Sequence, residues 1–454
     1  MVRVLKFGGS CLKTTDSLRK VARLVVEGYK NPVVVVSAVS GITNLLEKCI
    51  QVENISEVEI KAAITDIRKI HHELLQPLKK DIKAEAFEEI DKKLTKLDRI
   101  LLGILYTGEV SPSLRAVVLS FGERLSTIVI KAYLKASGRE ARVFESEQAG
   151  IVTDASFESA TVNLEITARR LKGKILPLIK KGLIPVITGF YGISEDGKTT
   201  LFGRNGSDYS AAVVAHGLNA EALELWKDVD GFMSADPGVV KEARKIKRLS
   251  YYEAAELSYF GARIIHPRTF EPLLRKNIPV YVKNLHHPEK EGTIIFPSPE
   301  ESETVVKSVA FNRDISIIGI YGPGVGYKPG VIARVGKLLC EFGININSII
   351  TSQTCINLLL EKRFAEKGYR LLLEATADPI EMVRLKKDVA LVAIVGEGLH
   401  RRKGLAARAF HAVASAGINI EMLSTGAPER AYYFIVKRNE VERAVKSIHK
   451  EFFE

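Results

Sequence analysis

The sequence predicts an α/β protein in which helices sandwich a mainly parallel sheet. A helical insertion interrupts this pattern, and two small α+β domains follow it. Three observations support the prediction. Strand candidates, glycine turns and helices alternate within the first 50 residues. Residues 57–106 then carry apolar side chains at helical spacing. Beyond residue 305 the chain repeats itself, which indicates a duplicated domain.

The composition is typical of a globular protein with several domains. The 454 residues are 46% hydrophobic and 26% charged, and this length favours two or three domains. No apolar run reaches the roughly 18 residues of a membrane span, and the N-terminus lacks a signal-peptide pattern. The four cysteines are widely spaced without a CxxC motif, so we expect a reduced, cytoplasmic protein.

The net charge of +12 arises from 66 Lys and Arg residues against 54 Asp and Glu residues. Nucleic-acid binding is one interpretation of this excess. However, basic and acidic residues are mixed along the chain, and the densest basic cluster spans only His400 to Lys403. A solvated, mixed-charge surface is therefore the favoured interpretation.

The strand candidates of the first 300 residues end in polar turns. Val2–Leu5 leads into Lys6-Phe7-Gly8-Gly9, and the buried-strand pattern Val33–Val36 leads into Ser37 to Asn44. Ligands bind at the carboxyl ends of parallel strands, so these turns are candidate binding residues. The further predicted strands are Ala141–Phe144, Leu183–Thr188, Ala222–Trp226, Ile278–Val282 and Thr293–Phe296.

Helical spacing defines the insertion and the helix that follows it. Pro77 interrupts the pattern of the insertion, and we expect His71 and His72 to lie on its solvated surface. The next helix, Ser113 to Lys135, contains Gly122. Glycine costs about 1 kcal/mol relative to alanine inside a helix, so Gly122 predicts a packing or functional constraint.

The C-terminal part contains an internal repeat. Gly343 to Ile346 recurs as Gly417 to Ile420, an offset of 417 − 343 = 74 residues, and Gly330 pairs with Gly404 at the same offset. Each copy follows a βαββαβ order. The segment Pro297–Thr304 reads as the linker before the repeat.

A literal phosphate-loop pattern, Gly192 to Thr199, is rejected. A true phosphate loop passes directly into a helix, whereas Asp196-Gly197 is a hairpin signal.

Four groups of residues instead suggest an amino acid bound beside ATP. Lys6 beside Gly8-Gly9 suits phosphates, Glu123 suits an ammonium group, and Arg204 beside a helix N-terminus suits a carboxylate. Lys227-Asp228 follows a strand and begins a turn-rich loop that suits a nucleotide. The alternative is that each residue is a solvated surface position and that residues 199–215 form an ordinary capped α/β connection.

Six ordered motifs resemble those of the aspartate kinase family, over nearly the whole chain. The motifs are Lys6 to Gly9, Ser37 to Asn44, Ser120 to Arg124, Gly203 to Asp208, Trp226 to Pro237 and Ser258 to Pro267. The resemblance implies the amino acid kinase fold, paired ACT regulatory domains and ATP-dependent formation of 4-phospho-L-aspartate. That reaction is the entry step to lysine, threonine and methionine. The implied boundaries are 1–298 for the kinase domain, about 55–106 for its insertion, and 308–386 and 387–454 for the ACT domains.

The resemblance also implies roles for individual residues. The catalytic pair is Lys6, which stabilises the transferred phosphoryl group, and Asp208, which orients Lys6. The residues implied to bind aspartate are Thr43, Glu123, Arg204 and Ser207. The resemblance implies that ATP binds with Mg²⁺, and it implies no protein ligand for the metal. The residues implied to bind ATP are Lys6, Gly8, Gly9, Lys227, Asp228, Met233 and Arg263. Arg263 stands where the family usually has lysine.

The sequence departs from the family pattern at four places, two in the kinase part and two in the repeat. Cys11 replaces a usual serine, and Gly238 replaces a common arginine. Ser352-Gln353-Thr354 stands where the family often has Ser-Glu, and Ala431-Tyr432-Tyr433 replaces a usual small polar pattern. The implied effector is lysine or threonine, and the implied assembly is a homodimer or larger homo-oligomer. The candidate effector residues are Asn345, Ser352, Gln353 and Asn419. A non-catalytic amino-acid sensor built on the repeat is the alternative function, and a nucleic-acid binder comes third.

Overall fold

The computed structural model describes residues 1–51, 56–262, 264–298, 305–375, 378–424 and 429–454. The chain forms two units. The first contains Met1–Phe232, Lys247–Ala255 and Ile264–Glu300, and the second contains Met233–Ile246, Glu256–Arg263 and Glu301–Glu454.

The first unit is built on an eight-stranded sheet with the order β3-β5-β2-β1-β8-β10-β11-β9. Its strands are β1 Arg3–Phe7, β2 Pro32–Val36, β3 Ala141–Phe144, β5 Ile184–Thr188, β8 Ala222–Lys227, β9 Arg248–Ser250, β10 Val280–Asn284 and β11 Thr293–Phe296. Among these strands only β10 and β11 pair antiparallel. The predicted mainly parallel sheet is confirmed, and β1 lies near its centre, where Lys6 pairs with Val35 on β2 and Leu225 on β8.

Helices cover this sheet and form the insertion. They are α1 Thr15–Gly28, α2 Ile42–Lys48, α3 Glu57–Leu75, α4 Lys80–Thr107, α5 Pro112–Ala136, α6 Ser146–Ala149, α7 Leu164–Lys180, α8 Gly206–Leu218, α9 Tyr251–Leu257 and α10 Phe270–Leu274. A small sheet joins β4 Val152–Thr153, β6 Tyr191–Ser194 and β7 Thr199–Leu201. Gly197 has φ +83° in the turn between β6 and β7, so the rejected phosphate-loop pattern is a hairpin.

The prediction for His71 is wrong. His71 is fully buried, and its Nδ1 lies 2.7 Å from the carbonyl oxygen of Ile67. It is four residues after Ile67 and three before Leu74, so it belongs to the buried stripe of α3. His72 is half-buried and stacks on Phe87 at a centroid distance of 3.8 Å.

Gly122 in α5 has a packing reason, as predicted. A Cβ on Gly122 would lie 2.6 Å from the Cβ of Ala38, which follows β2. The absence of a side chain therefore lets α5 approach the polar turn at the end of β2.

The second unit contains two four-stranded sheets, as expected for a duplicated α+β domain. The first is β14-β15-β13-β16, formed by β13 Ile315–Tyr321, β14 Ser348–Thr351, β15 Cys355–Glu361 and β16 Met382–Lys386. The second is β12-β17-β19-β18, formed by β12 Ser308–Asn312, β17 Val389–Val395, β18 Met422–Ser424 and β19 Ala431–Lys437. The helices are α11 Val331–Glu341, α12 Lys362–Glu374, α13 Leu405–Ser415 and α14 Val441–Phe453.

One strand of the range predicted for the first repeat belongs to the sheet of the second repeat. β12 lies in the range 308–386 assigned to the first copy, but it pairs antiparallel with β17 of the second copy. Every residue of β17 is buried, so this strand requires a neighbour on both sides. β19 supplies one neighbour and β12 supplies the other.

All four cysteines are free thiols. Among the described residues, no helix has both the length and the apolar character needed to span a membrane.

Candidate active site

Three charged side chains meet at the carboxyl end of the central strands. Lys6 on β1 places its Nζ 2.7 Å from Oδ1 of Asp208, and Lys227 at the end of β8 places its Nζ 2.9 Å from Oδ2. Asp208 lies in the first turn of α8 and is 1% exposed. One carboxylate thus holds two ammonium groups at fixed positions. Their sum of one net positive charge favours an anion at this point.

The pKa values of this cluster follow from burial and pairing. Burial alone would raise the pKa of Asp208, but the charges of Lys227 and Lys6 outweigh it and lower the pKa to about 2. Burial lowers the pKa of Lys6; Asp208 opposes this shift, and Lys227 adds to it. Asp208 is therefore ionised at neutral pH, and its charge favours the protonated form of Lys6.

The glycine turn after β1 approaches this cluster. A Cβ on Gly8 would lie 3.8 Å from Nζ of Lys6, and the backbone N–H of Gly8 donates to the carbonyl oxygen of Trp226 at 3.2 Å. A Cβ on Gly9 would lie only 2.7 Å from the carbonyl oxygen of Ala38. Gly8 therefore keeps the space beside the Lys6 ammonium free of a side chain, and Gly9 allows the turn to approach Ala38 closely.

Glu123 is a buried carboxyl group on α5. Its Oε1 accepts a hydrogen bond from Oγ of Ser207 at 3.3 Å, and in the described part of the chain no lysine or arginine pairs with it. Burial raises its pKa to about 8, although its hydrogen bonds and the more distant Lys6 oppose the shift. An ammonium ligand beside Glu123 would supply the missing positive charge.

The N-terminus of α8 lies against a strained turn that sequence reasoning missed. A Cβ on Gly189 would lie 2.7 Å from the Cβ of Ser207, so β5 ends in direct contact with this helix start. The next residue, Phe190, has φ +74°, which is unusual for a bulky side chain. Its ring lies 3.1 Å from the position of a Cβ on Gly206. Backbone strain of this kind clusters at binding sites, but it leaves no signal in the sequence.

Arg204 is exposed on the loop between β7 and α8. Gly203 and Asn205 on either side of it have φ values of +75° and +55°. Burial lowers the pKa of His266, and the charges of Arg268 and Arg204 lower it further while Asp208 opposes them. The Arg204 loop leads directly into α8, whose first turn carries Asp208 of the lysine cluster.

The remaining predicted residues have different outcomes. Thr43 is half-buried in the first turn of α2, next to Ile42, whose Cγ2 lies 3.7 Å from the position of a Cβ on Gly122. Asp228 is exposed and contributes to the raised pKa of Cys11 beside the glycine turn, although burial is the larger cause. Met233 belongs to the second unit, and Arg263 lies outside the described residues.

Two contacts that the sequence did not indicate fix the loop after β8. Nδ2 of Asn284 donates to Oδ1 of Asp230 at 2.6 Å, and the backbone N–H of Phe232 donates to Oγ1 of Thr293 at 2.9 Å. Gly231 has φ +111° and leaves no room for a Cβ, which would lie 2.4 Å from Thr293 Oγ1. The loop that follows Lys227 is therefore held to the ends of β10 and β11.

The candidate effector residues lie on exposed turns of the second unit. Asn345 and Asn419 occupy equivalent turns after α11 and α13, and Ser352 and Gln353 form the turn between β14 and β15. The backbone N–H of Gly326 donates to the carbonyl oxygen of Gln353 at 3.1 Å. Ser352 and Gln353 are thus brought against the loop after β13.

Within the described ranges, no group of three or more His, Cys, Asp or Glu side chains is arranged to hold a metal ion.

Comparisons with known proteins agree with this fold. The model of the amino acid kinase family matches residues 1–284, and a model of the ACT domain matches residues 392–452. The chain is 32% identical over 465 residues to aspartokinase 1 (chloroplastic) of Arabidopsis thaliana, which covers 99% of this chain and 80% of that protein. It is 29% identical over 458 residues to lysine-sensitive aspartokinase 3 of Escherichia coli K12, which covers 99% of both.

Two solved structures of E. coli aspartokinase III match the whole chain. The complex with aspartate and ADP in the R-state has a TM-score of 0.86 at 29% identity, and the match covers 100% of both chains. The complex with lysine and aspartate in the T-state has a TM-score of 0.83, with the same identity and coverage.

The fold and the family matches define the class of protein. A mainly parallel sheet with two lysines paired to one buried carboxylate at its strand ends, followed by ACT-type domains, is that of a regulated amino acid kinase. The chain belongs to the aspartokinase family. Its reaction is the transfer of a phosphoryl group from ATP to the side-chain carboxyl group of L-aspartate, which yields 4-phospho-L-aspartate and ADP. This is the first step towards lysine, threonine and methionine.

Proposed function

We propose that the cluster of Lys6, Asp208 and Lys227 is the point at which the phosphoryl group passes from ATP to aspartate. The observation that supports this most directly is the buried Asp208, whose two oxygens each bind one lysine ammonium. In the reaction, a carboxylate oxygen of aspartate forms a bond to the γ-phosphorus of ATP. The bond between that phosphorus and the β–γ bridging oxygen breaks, and ADP leaves with the electron pair.

The two lysines supply the electrostatic part of this transfer. Lys6 stabilises the charge on the γ-phosphoryl oxygens, because it is buried and held by Asp208 before the substrate arrives. Lys227 and Asp228, at the end of β8, line the phosphate end of the nucleotide. Gly9 offers a backbone N–H group, and neither Gly8 nor Gly9 carries a side chain that would occupy the phosphate position. Roles for Met233 and Arg263 at the nucleotide rest on the sequence motifs alone.

Aspartate is held by groups of complementary charge. Glu123 accepts from its ammonium group, Arg204 binds a carboxylate through its two-pronged guanidinium, and Thr43 and Ser207 supply hydroxyl groups. The acceptor carboxyl group has a reference pKa of about 3.9 and is already ionised at neutral pH, so the reaction needs no general base. The enzyme therefore acts by positioning two anions and neutralising their charge.

Mg²⁺ fits this site as an ion that would be coordinated by the phosphates of ATP rather than by protein side chains. Both oxygens of Asp208 are already paired with lysines, and Mg²⁺ commonly keeps several waters and binds through substrate phosphates. When bound, Mg²⁺ neutralises charge on the β- and γ-phosphates.

We further propose that the ACT domains bind an end-product amino acid through Asn345, Ser352, Gln353 and Asn419. Lysine is favoured over threonine, since E. coli aspartokinase III was solved with lysine in its T-state. A homodimer or larger homo-oligomer formed through these domains and a cytoplasmic location are proposals from the sequence. Inhibition assays with lysine, threonine and their mixture identify the effector, and inhibition by neither would refute the regulatory proposal.

The proposed roles predict different kinetic defects for two substitutions. Lys6→Ala should lower kcat by about 100-fold or more with little change in KM, because the lost interaction stabilises the transition state. Arg204→Ala should raise KM for aspartate by about 100-fold, or about 2.7 kcal/mol, since charged hydrogen bonds contribute about 1.5–3 kcal/mol each. KM for ATP should stay unchanged in Arg204→Ala.

The matched control is Lys180→Ala, which removes an exposed lysine at the end of α7. Its kinetics should equal those of the wild type. Normal turnover of Lys6→Ala would refute the assignment of the transfer point, and an unchanged aspartate KM in Arg204→Ala would refute the carboxylate clamp.

A further inference from the structure

Arg268 is a largely buried arginine to which the roles above give no function. Its side chain is 18% exposed. It lies in the short 3₁₀ helix Pro267–Thr269, directly after His266, and its backbone N–H donates to Nδ1 of His266 at 3.3 Å. Its guanidinium group faces the segment 159–161, the end of β7 and the first turn of α8.

The guanidinium group binds backbone oxygens rather than a carboxylate. Nη1 donates to the carbonyl oxygens of Ser159 at 3.3 Å and Phe202 at 3.4 Å. Nη2 donates to the carbonyl oxygen of Ala160 and to Oγ1 of Thr161, the latter at 3.2 Å. The acidic residue in reach, Glu271, is only at the limit of an ion pair, 4.0 Å from Nε.

The same guanidinium group also stacks on α8. Its central carbon lies 4.5 Å from the ring centroid of Tyr209, and the hydroxyl oxygen of Tyr209 accepts from the backbone N–H of Val162 at 3.4 Å. Arg268 thus contacts both ends of the segment 202–209, at Phe202 and at Tyr209. Arg204, Ser207 and Asp208 all lie between these two contacts.

Other contacts hold the two ends of the segment 202–209. The backbone N–H of Phe202 donates to the carbonyl oxygen of Phe190 at 2.9 Å, and Asp208 is paired with Lys6 and Lys227. The backbone N–H of Ala160 donates to the carbonyl oxygen of Leu201 at 2.8 Å, which fixes the end of β7. Beyond that point Arg204 and Asn205 are exposed, and Gly203 has φ +75°. A loop that must be ordered when the substrate binds lowers affinity, because the entropy of ordering opposes binding. Arg268 fixes this loop before aspartate arrives.

The bonding pattern requires arginine in particular. Four acceptors are met by the two terminal nitrogens of one planar group, whose face also stacks on an aromatic ring. Lysine keeps the charge, but its compact ammonium group lacks both the fork and the stacking plane.

We propose that Arg268 is a positioning residue for aspartate, which acts by holding the segment 202–209 so that Arg204 meets the substrate carboxylate. This inference rests on the role proposed above for Arg204. Arg268 is not proposed to touch either substrate.

The test is a double-mutant cycle on the full-length enzyme, with KM for aspartate and for ATP measured separately. Arg268→Ala should raise KM for aspartate by about 10-fold, with KM for ATP and kcat within about 3-fold of the wild type. On the Arg204→Ala background the same substitution should add almost nothing, since the residue through which it acts is gone. Arg275→Ala, an exposed arginine at the end of α10, is the matched control and should show wild-type kinetics.

Arg268→Lys separates positioning from general loss of stability. Arg268→Lys keeps a positive charge at this position, so it can replace Arg268→Ala in the test if the alanine variant fails to fold. It should show the same selective rise in KM for aspartate. Equal increases in both KM values, or additive effects of the substitutions at 204 and 268, would overturn the inference. If Arg204→Ala raises KM for aspartate but neither Arg268 variant does, this inference alone fails. If Arg204→Ala leaves that KM unchanged, the carboxylate clamp fails as well.

Discussion

In the site proposed above, the charge of the Glu123 carboxyl group is coupled to aspartate binding. In the free enzyme burial raises its pKa to about 8, so at pH 7 most molecules carry a proton on it. The ammonium group of aspartate is stabilised by the carboxylate form. Binding therefore shifts the pKa of Glu123 downward and releases a proton at neutral pH.

This coupling predicts that KM for aspartate falls as the pH rises. A pKa of about 8 means that the ionised fraction grows from about 3% at pH 6.5 to about 75% at pH 8.5, and KM should fall about 25-fold over this range. The measurement is KM for aspartate at saturating ATP as a function of pH. Glu123→Gln, which cannot ionise, should bind aspartate more weakly and show no such dependence; a flat wild-type profile would contradict the coupling.

At the residue scale, the sequence predicted the charged residues of the site but not all of the contacts that hold them in place. Lys6 and Lys227 end neighbouring parallel strands, so their meeting at Asp208 follows from the topology. The hydrogen bonds of the Arg268 guanidinium group join it to residues that are 66 to 109 positions away in the sequence. The strain at Phe190 depends on the approach of α8 to β5. Such contacts arise from tertiary packing and leave no local pattern.

At the element scale, helix α5 carries both a residue of the proposed site and a residue whose close packing positions the helix. It carries Glu123, and the neighbouring Gly122 allows close approach to Ala38 after β2. The turn at Ala38 leads into Gly41 and the first turn of α2, where Thr43 lies. Displacement of α5 should therefore separate Glu123 from Thr43 and the other residues proposed to bind aspartate.

We predict that Gly122→Ala destabilises the protein and weakens aspartate binding, against the usual gain of about 1 kcal/mol for alanine in a helix. The added Cβ would lie 2.6 Å from the Cβ of Ala38, so α5 or the turn must move. The measurement is the urea midpoint together with KM for aspartate.

Two further variants make this prediction specific. Gly103→Ala in α4, where a Cβ meets no atom within 4 Å, should stabilise the protein. Adding Ala38→Gly to Gly122→Ala should restore both stability and binding. A stabilised Gly122→Ala variant with normal KM would contradict the proposed constraint.

Helices and strands could be predicted where the spacing of apolar residues was regular. The placement of individual side chains was harder to predict. The spacing of apolar residues predicted the helical insertion, which folds as α3 and α4. It did not predict the burial of His71, because a histidine in an apolar stripe has no distinct signal. The pairing of β12 with β17 also escaped prediction, since the 74-residue offset marks copies but not strand partners.

At the scale of the whole molecule, the division into units does not follow the order of the sequence. Met233–Ile246 and Glu256–Arg263 belong to the second unit, although both fall within the range 1–298 predicted for the kinase domain. The first of these segments directly follows the loop after β8, which carries Lys227 and Asp228. The covalent chain therefore continues directly from the proposed nucleotide loop into the second unit.

The central claim is that this site phosphorylates the side-chain carboxyl group of aspartate. The most direct measurement incubates the purified enzyme with ATP, Mg²⁺ and L-aspartate in the presence of hydroxylamine, which traps an acyl phosphate as a hydroxamate. Aspartate hydroxamate should form in equal amount to ADP, and replacing aspartate by glutamate should abolish it. ADP release without hydroxamate, or product with glutamate or carbamate alone, would contradict the assignment.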